Sequence, residues 1–290
     1  MCGRGEQAVV LESGGGSWSL DWFLVLDGLT SFSKVCVYDR AGFGWSDTPE
    51  GIRDFQTLVF ELDRLLVNSG TNEPLILVGA SLGGAIVQMY AQQFPAKVAG
   101  LLLLDARARG SVTDLLAIEP ALLPPPALAS IAQFFTSINV VYGMLSLVGT
   151  QGILSVAHPN LADYPEEIKK MYLDSGVFDK NIRATLAEAI ADSQSELQLN
   201  AVSDLGDIPL IVVTHGYENR FSTLELSEKQ RGTIEKEWAS QQYELSTLSS
   251  RGKIVVAENS GHLIQLDQPE LVVELVKELV EAIEEAEIEL

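Results

Sequence analysis

At 290 residues the chain can bury a full core, as one α/β domain with an insertion or as two small domains. A content of 47% hydrophobic and 20% charged residues excludes wholesale disorder, and a net charge of -21 argues against nucleic acid or an anionic membrane as partner, because both need basic patches. The two cysteines, Cys2 and Cys36, read as free thiols, and the start Met-Cys-Gly-Arg-Gly-Glu lacks the apolar core of a signal peptide, so a cytoplasmic location is expected.

In chain order, Ala8-Val9-Val10-Leu11 is a short apolar run that predicts a buried strand, and it leads into Glu12-Ser13-Gly14-Gly15-Gly16-Ser17. Trp18 to Leu29 has the length of a crossover helix. Lys34 to Tyr38 predicts a second strand, followed by the glycine-punctuated loop Asp39-Arg40-Ala41-Gly42-Phe43-Gly44-Trp45-Ser46. Asp39 and Arg40 are expected to pin that loop by local hydrogen bonds, with Phe43 and Trp45 bordering a pocket. Phe55, Leu58, Val59, Leu62, Leu65 and Leu66 recur at helical spacing between Asp54 and Val67. Pro74 to Val78 is then a buried strand, and Ala85 to Ala91 a helix. Between them stands Gly79-Ala80-Ser81-Leu82-Gly83, a G-x-S-x-G motif in strand–turn–helix context, which is the setting that lifts a serine hydroxyl above a sheet edge. Side chains at Gly79 and Gly83 would collide where strand and helix close around a serine forced to positive φ.

Val98 to Leu104 predicts another buried strand, ending at Asp105. The alternation of apolar strands and helices implies a mainly parallel sheet covered on both faces. The rhythm stops after Arg109. From Pro120 to Ala162 there is no Asp, Glu, Lys or Arg. Leu128 to Val148 is long enough to span a bilayer, but its Gln133, Thr136, Ser137, Asn139 and Tyr142 and its lack of basic flanks favour an apolar helical cap over a lipophilic pocket. Alternation resumes with a strand over Ile208 to Thr214, a helix from about Thr223 to Leu248, a strand over Ile254 to Ala257, the polar turn Glu258-Asn259-Ser260-Gly261-His262, and a helix opened by Pro269. The acidic tail after Glu281 opposes the helix dipole, so that end is expected to fray.

Four motifs in this order, Ser13-Gly14-Gly15-Gly16, Tyr38 to Ser46, Gly79 to Gly83 and Ser260-Gly261-His262, make the chain resemble a serine hydrolase of the α/β-hydrolase superfamily. The resemblance implies a core domain from 1–109 and 206–290 and a helical cap or lid from 110–205, with the motif loops meeting at the C-terminal ends of the strands. It implies Ser81 as nucleophile and His262 as general base. His158 and His215 read instead as cap or core histidines making one hydrogen bond. The acid departs from the commonest family pattern, since Asn219 stands where it is expected. Glu218 on that loop and Asp105 at the end of the neighbouring strand remain as candidates, with Asp105 favoured because it directly terminates an apolar strand. The expected oxyanion hole is formed by the backbone N–H groups of Leu82 and Gly15, with Gly16 as an alternative.

The activity implied is hydrolysis of a small-molecule carboxylic ester through an acyl-enzyme, with no metal or organic cofactor. Serine at the elbow argues against the haloalkane dehalogenase and epoxide hydrolase branches, which use an aspartate there. Two alternatives are an aminopeptidase similar to proline iminopeptidases, with Asp163, Glu166 or Glu167 holding a substrate amine, and a ligand-binding receptor on a hydrolase scaffold. Only seven residues precede Ala8, where many relatives carry a strand pair, and the sheet edge so exposed favours a homo-oligomer.

Overall fold

The computed structural model describes residues 2–3, 7–71, 73–118, 164–172, 175–216 and 227–288. Seven strands form one sheet: β1 (Cys2–Gly3), β2 (Ala8–Glu12), β3 (Lys34–Val37), β4 (Leu75–Ala80), β5 (Val98–Leu104), β6 (Leu210–His215) and β7 (Gly252–Ala257), in the order β1-β3-β2-β4-β5-β6-β7. The six strands β2 to β7 are parallel, and β1 pairs antiparallel with β3 through Cys2 with Val35 and Gly3 with Lys34. The edge expected to lie open beside β3 thus carries a two-residue strand. That strand is too short for any hydrophobic period to announce it.

Strand pleating divides the core into two layers. Val10, Leu77, Leu101, Leu103 and Val212 face one layer, while Val9, Leu11, Ile76, Val78, Leu102, Leu104, Ile211 and Val213 face the other. The first layer packs against α2 (Phe55–Asn68) and α3 (Leu82–Gln93); the second packs against α1 (Phe23–Thr30), introduced by a 3-10 turn at Ser19–Trp22. Each fully buried aliphatic or aromatic side chain in these layers contributes about 1.5–3 kcal/mol. The helix read from Asp54 starts at Phe55, because Asp54 is its cap and accepts a hydrogen bond from the Thr57 N–H at 2.9 Å. β6 likewise begins at Leu210 rather than Ile208, since Pro209 has no N–H for the ladder and contributes only its carbonyl, to the Leu101 N–H at 2.8 Å.

Between β5 and β6 lie α4 (Ser111–Ile118), α5 (Glu166–Tyr172), α6 (Ser175–Ile190) and α7 (Asp192–Leu199). α6 meets the loop after β3: Asn181 Oδ1 accepts from the Gly44 N–H at 2.8 Å, and Lys180 Nζ donates to the Ser46 carbonyl at 2.7 Å. The apolar stretch 120–162, including His158 and the span weighed as transmembrane, lies outside the described residues. Among those described, no helix is long and apolar enough to cross a membrane. After β6 come α8 (Glu228–Ser246), α9 (Ile264–Asp267) and α10 (Pro269–Ile288). Helix α8 opens with a capping box in which the Ser227 side chain and Gln230 satisfy each other's backbone N–H groups. The beginning expected at Thr223, like Glu218, falls in the segment outside the description.

Candidate active site

All six parallel strands point the same way, so the loops after β2, β4, β5 and β7 gather at one edge of the sheet. There Ser81 joins β4 to α3 at φ 51° and ψ -117°. The turn tolerates no side chains at its glycines. A Cβ at Gly83 would stand 2.4 Å from the Glu12 carbonyl oxygen and 2.5 Å from that of Ser13, and one at Gly79 would lie 2.6 Å from Val87 Cγ2. Among the described residues only Ser81 and Asp105 (φ 43°) are non-glycines at positive φ. Such backbone conformations cost on the order of 1–3 kcal/mol each and concentrate at functional sites. The Ser81 backbone is tied to the next strand, its N–H donating to the Leu104 carbonyl at 3.0 Å and its carbonyl accepting from Arg107 at 2.9 Å.

The structure brings Ser81, His262 and Asp105 into one hydrogen-bonded line. His262 Nε2 lies 2.9 Å from Ser81 Oγ, and His262 Nδ1 lies 2.5 Å from Asp105 Oδ2. An ionised carboxylate only accepts, so Nδ1 carries the proton and Nε2 is left to accept from the serine hydroxyl. The turn bearing His262 is fastened by α9: Asp267 Oδ2 accepts from the Gly261 N–H at 2.9 Å, and Gln268 Oε1 accepts from the Asn259 N–H at 2.9 Å.

Asp105 is fully buried, yet it remains an acid of low pKa. Burial alone would raise it, but hydrogen bonds from His215 and His262 and the attraction of both imidazoles hold it well below the usual carboxylate range. A further donor, Trp238 Nε1 on α8, reaches Asp105 Oδ1 at 2.7 Å. From sequence His215 reads as a core histidine making one hydrogen bond, and Trp238 carries no local signal. The structure corrects the first of these: His215 Nδ1 lies 2.9 Å from both Asp105 oxygens, and its Nε2 lies 2.8 Å from Glu235 Oε2. The signal available was its position at the end of a strand, but nothing local says that this strand adjoins the one ending in Asp105.

The loop after β2 stands beside the serine. Helix α3 starts at Leu82, whose N–H precedes the intrahelical ladder, and a Cβ at Gly15 would be 3.4 Å from Leu82 Cδ1. The loop is held from below. Arg40 donates to the Ser13 carbonyl at 2.6 Å, the Gly14 carbonyl at 2.8 Å, Glu12 Oε1 at 2.8 Å and, across to α6, Glu188 Oε1 at 3.0 Å. Asp39 pins its own loop locally as expected, accepting from the Trp45 N–H at 3.0 Å, and also ties it to the turn before α1 by accepting from the Ser19 N–H at 2.9 Å. Arg40 does not act locally. Its guanidinium instead joins the β2 loop to a helix between β5 and β6, stacking over the Phe43 ring at 4.9 Å. Burial would lower its pKa, but Glu188 and Glu12 raise it further above the ordinary value. Glu12 is raised, since desolvation outweighs Arg40 and the hydrogen bond from Tyr38. Phe43 is wholly buried rather than at a pocket rim, in a cluster with Trp18, Leu20, Tyr164, Ala184 and Leu266, while Trp45 is exposed.

Because Arg40 is buried between two carboxylates, Arg40→Met leaves Glu12 and Glu188 without their cation. A loss of about 3–5 kcal/mol is expected. Chemical denaturation measures it, and Arg40→Lys should recover only part, since an ammonium cannot reproduce the planar fork.

Among the described residues no cluster of His, Cys, Asp or Glu is arranged to hold a metal ion. The sequence profile described as "Alpha/beta hydrolase family" matches residues 9–275. The chain belongs to the alpha/beta hydrolase family. This hydrolase is 26% identical over 270 residues to the uncharacterized protein YqjL of Bacillus subtilis (strain 168), covering 93% of this chain and 82% of that protein. It also matches longer proteins, spanning only 40% of a probable transporter, efuK, of Hormonema carpetanum at 23% identity and 97% of this chain. Among solved structures it resembles a thermophilic esterase from Thermogutta terrifontis, with TM-score 0.61, 19% identity, and coverage of 97% of this chain and 92% of that one. The epoxide hydrolase CorEH is as similar, with TM-score 0.64, 17% identity, and coverage of 97% and 93%. Identities this low speak to the fold, a parallel sheet with helices, and leave the reaction to be argued from the site.

Proposed function

We propose that this alpha/beta hydrolase cleaves carboxylic esters through an acyl-enzyme on Ser81, with His262 as general base and Asp105 as the acid of the triad. The observation that carries the reading is the unbroken line from Ser81 Oγ through His262 to Asp105, at 2.9 and 2.5 Å. Ser81 Oγ attacks the ester carbonyl carbon while His262 Nε2 takes the hydroxyl proton. The carbonyl oxygen, now an oxyanion, is met by the N–H groups of Leu82 and Gly15. A donor of this kind is worth about 3–4 kcal/mol in the transition state. Collapse breaks the bond to the alkoxy group, which leaves as an alcohol with the proton from His262. Water then attacks the acyl carbon, giving its proton to His262, and Ser81 recovers a proton as the carboxylic acid departs. Asp105 stays ionised throughout, stabilising the imidazolium formed twice in each cycle. Serine at the elbow supports this reading over epoxide opening by a carboxylate nucleophile.

In this account residues 110–205 form a helical cap over the core made by 1–109 and 206–290. Helix α6 supports it, since a Cβ at Gly16 would lie 3.6 Å from Thr185 Oγ1. The charge-free composition of 120–162 favours a substrate that carries a hydrophobic acyl or alcohol group. The aminopeptidase reading is less well supported: Glu166 has an 88% exposed side chain engaged with Lys169 at 2.8 Å, turned to solvent. A panel of p-nitrophenyl acetate, butyrate, octanoate and palmitate tests the proposal. Turnover rising beyond acetate is the expected outcome. Cleavage of proline amides with no ester turnover would overturn it.

A further inference from the structure

Asp105 serves two imidazoles. One of its oxygens receives His262 Nδ1 at 2.5 Å, and His215 Nδ1 stands 2.9 Å from both oxygens, while Trp238 Nε1 caps Oδ1 at 2.7 Å. On its other side His215 Nε2 meets Glu235 Oε2 at 2.8 Å. Carboxylates accept only, so a ring between two of them must carry both protons and a positive charge. The side chain is nearly inaccessible, at 5% exposure, so solvent screens it little. Burial opposes that charge, but the hydrogen bonds to Asp105 and Glu235 push the His215 pKa up to about 9.

We propose that His215 is a positioning residue of the triad: a cation fixed between Asp105 and Glu235 that orients the Asp105 carboxylate and moderates the basicity it confers on His262. The inference rests on the proposed Ser81, His262 and Asp105 triad. Its physical core is that a carboxylate already neutralised by one cation stabilises a second one less. Among the described residues, the groups that bear on His215 are Asp105 from the end of β5 and Glu235 from α8, with His262 beyond Asp105 on the turn after β7. Without the His215 charge, Asp105 holds the proton on His262 more firmly, and His262 becomes free to act as base only at higher pH. Orientation is the second part of the role. Asp105 sits at φ 43°, and three side-chain donors from three different elements fix its carboxylate where His262 needs it.

The test is the pH dependence of Ser81 labelling by a fluorophosphonate, which needs no knowledge of the substrate. Parent, His215→Asn and Glu235→Gln proteins are followed from about pH 5 to about pH 9. His215→Asn keeps an amide donor near the Nδ1 position without the charge. Its acidic limb is expected to move up by about one pH unit, a roughly tenfold loss of labelling at the acid end relative to the plateau. Glu235→Gln, at a partly exposed helix position, keeps both rings and leaves the His215 cation to Asp105 alone, so it is expected to move the limb by a smaller amount in the opposite direction. If both variants keep the parent limb and lose only stability, His215 is structural filler and the inference is overturned while the triad stands. Should the parent fail to label at all, the triad reading falls and takes this inference with it.

Discussion

Ser81→Ala is expected to lower ester turnover by about 10⁵–10⁶-fold while the protein stays folded. Loss of the attacking oxygen removes the covalent route, and in enzymes whose triad acts as a unit one such deletion costs nearly as much as removing all three members. The fold should persist because, among the described residues, the hydroxyl hydrogen-bonds to His262 alone. Alanine also bears the same φ of 51° that serine does. The comparison to make is kcat against p-nitrophenyl butyrate with thermal unfolding of both proteins. A variant retaining a hundredth of parental turnover would mean that another nucleophile does the work.

Asp105→Asn carries the second large effect, about 10⁴-fold in kcat with KM little changed. The amide can present its N–H to His262 and trap the wrong tautomer, and it cannot stabilise the imidazolium. This substitution also leaves His215 beside a neutral group, so stability should fall, most clearly above the ordinary carboxylate pKa. The sign follows from the depressed pKa of Asp105: its contribution is fully present above the unfolded-state value of about 3.9 and is lost as pH falls through the folded one. Glu218→Gln is the companion variant. It should change kcat less than about twofold, because the proposed mechanism gives the acid's role to Asp105. If Glu218→Gln is the crippled variant and Asp105→Asn the mild one, the assignment of the acid is reversed.

Much of this arrangement could be read from residues close together in sequence. The apolar runs Ala8–Leu11, Leu75–Val78 and Val98–Leu104 mark strands because each is buried on both faces, and the elbow shows itself through Gly79 and Gly83, which no side chain could replace. Asp105 was legible as the polar residue that ends an apolar strand. What stayed hidden depends on sheet order and on contacts far apart in the chain. His215 meets Asp105 across 110 positions and Trp238 meets it across 133, while Arg40 reaches Glu188 across 148. Hydrophobic period reports which face of an element is buried, not which element lies next to it. Glu12 and Arg40 were obscure for the same reason. Arg40 reads as pinning its own loop until Glu188, on a helix between β5 and β6, is in view, and Glu12 gives no signal until Arg40 is placed beside it.

The most direct measurement on the central claim is intact mass spectrometry of the protein after brief exposure to a fluorophosphonate or a slow p-nitrophenyl ester, followed by peptide mapping. The account predicts a single adduct, carried by the peptide containing Ser81, absent from Ser81→Ala and formed far more slowly in His262→Ala. Ester turnover with the adduct on any other residue, or turnover undiminished in Ser81→Ala, would contradict it.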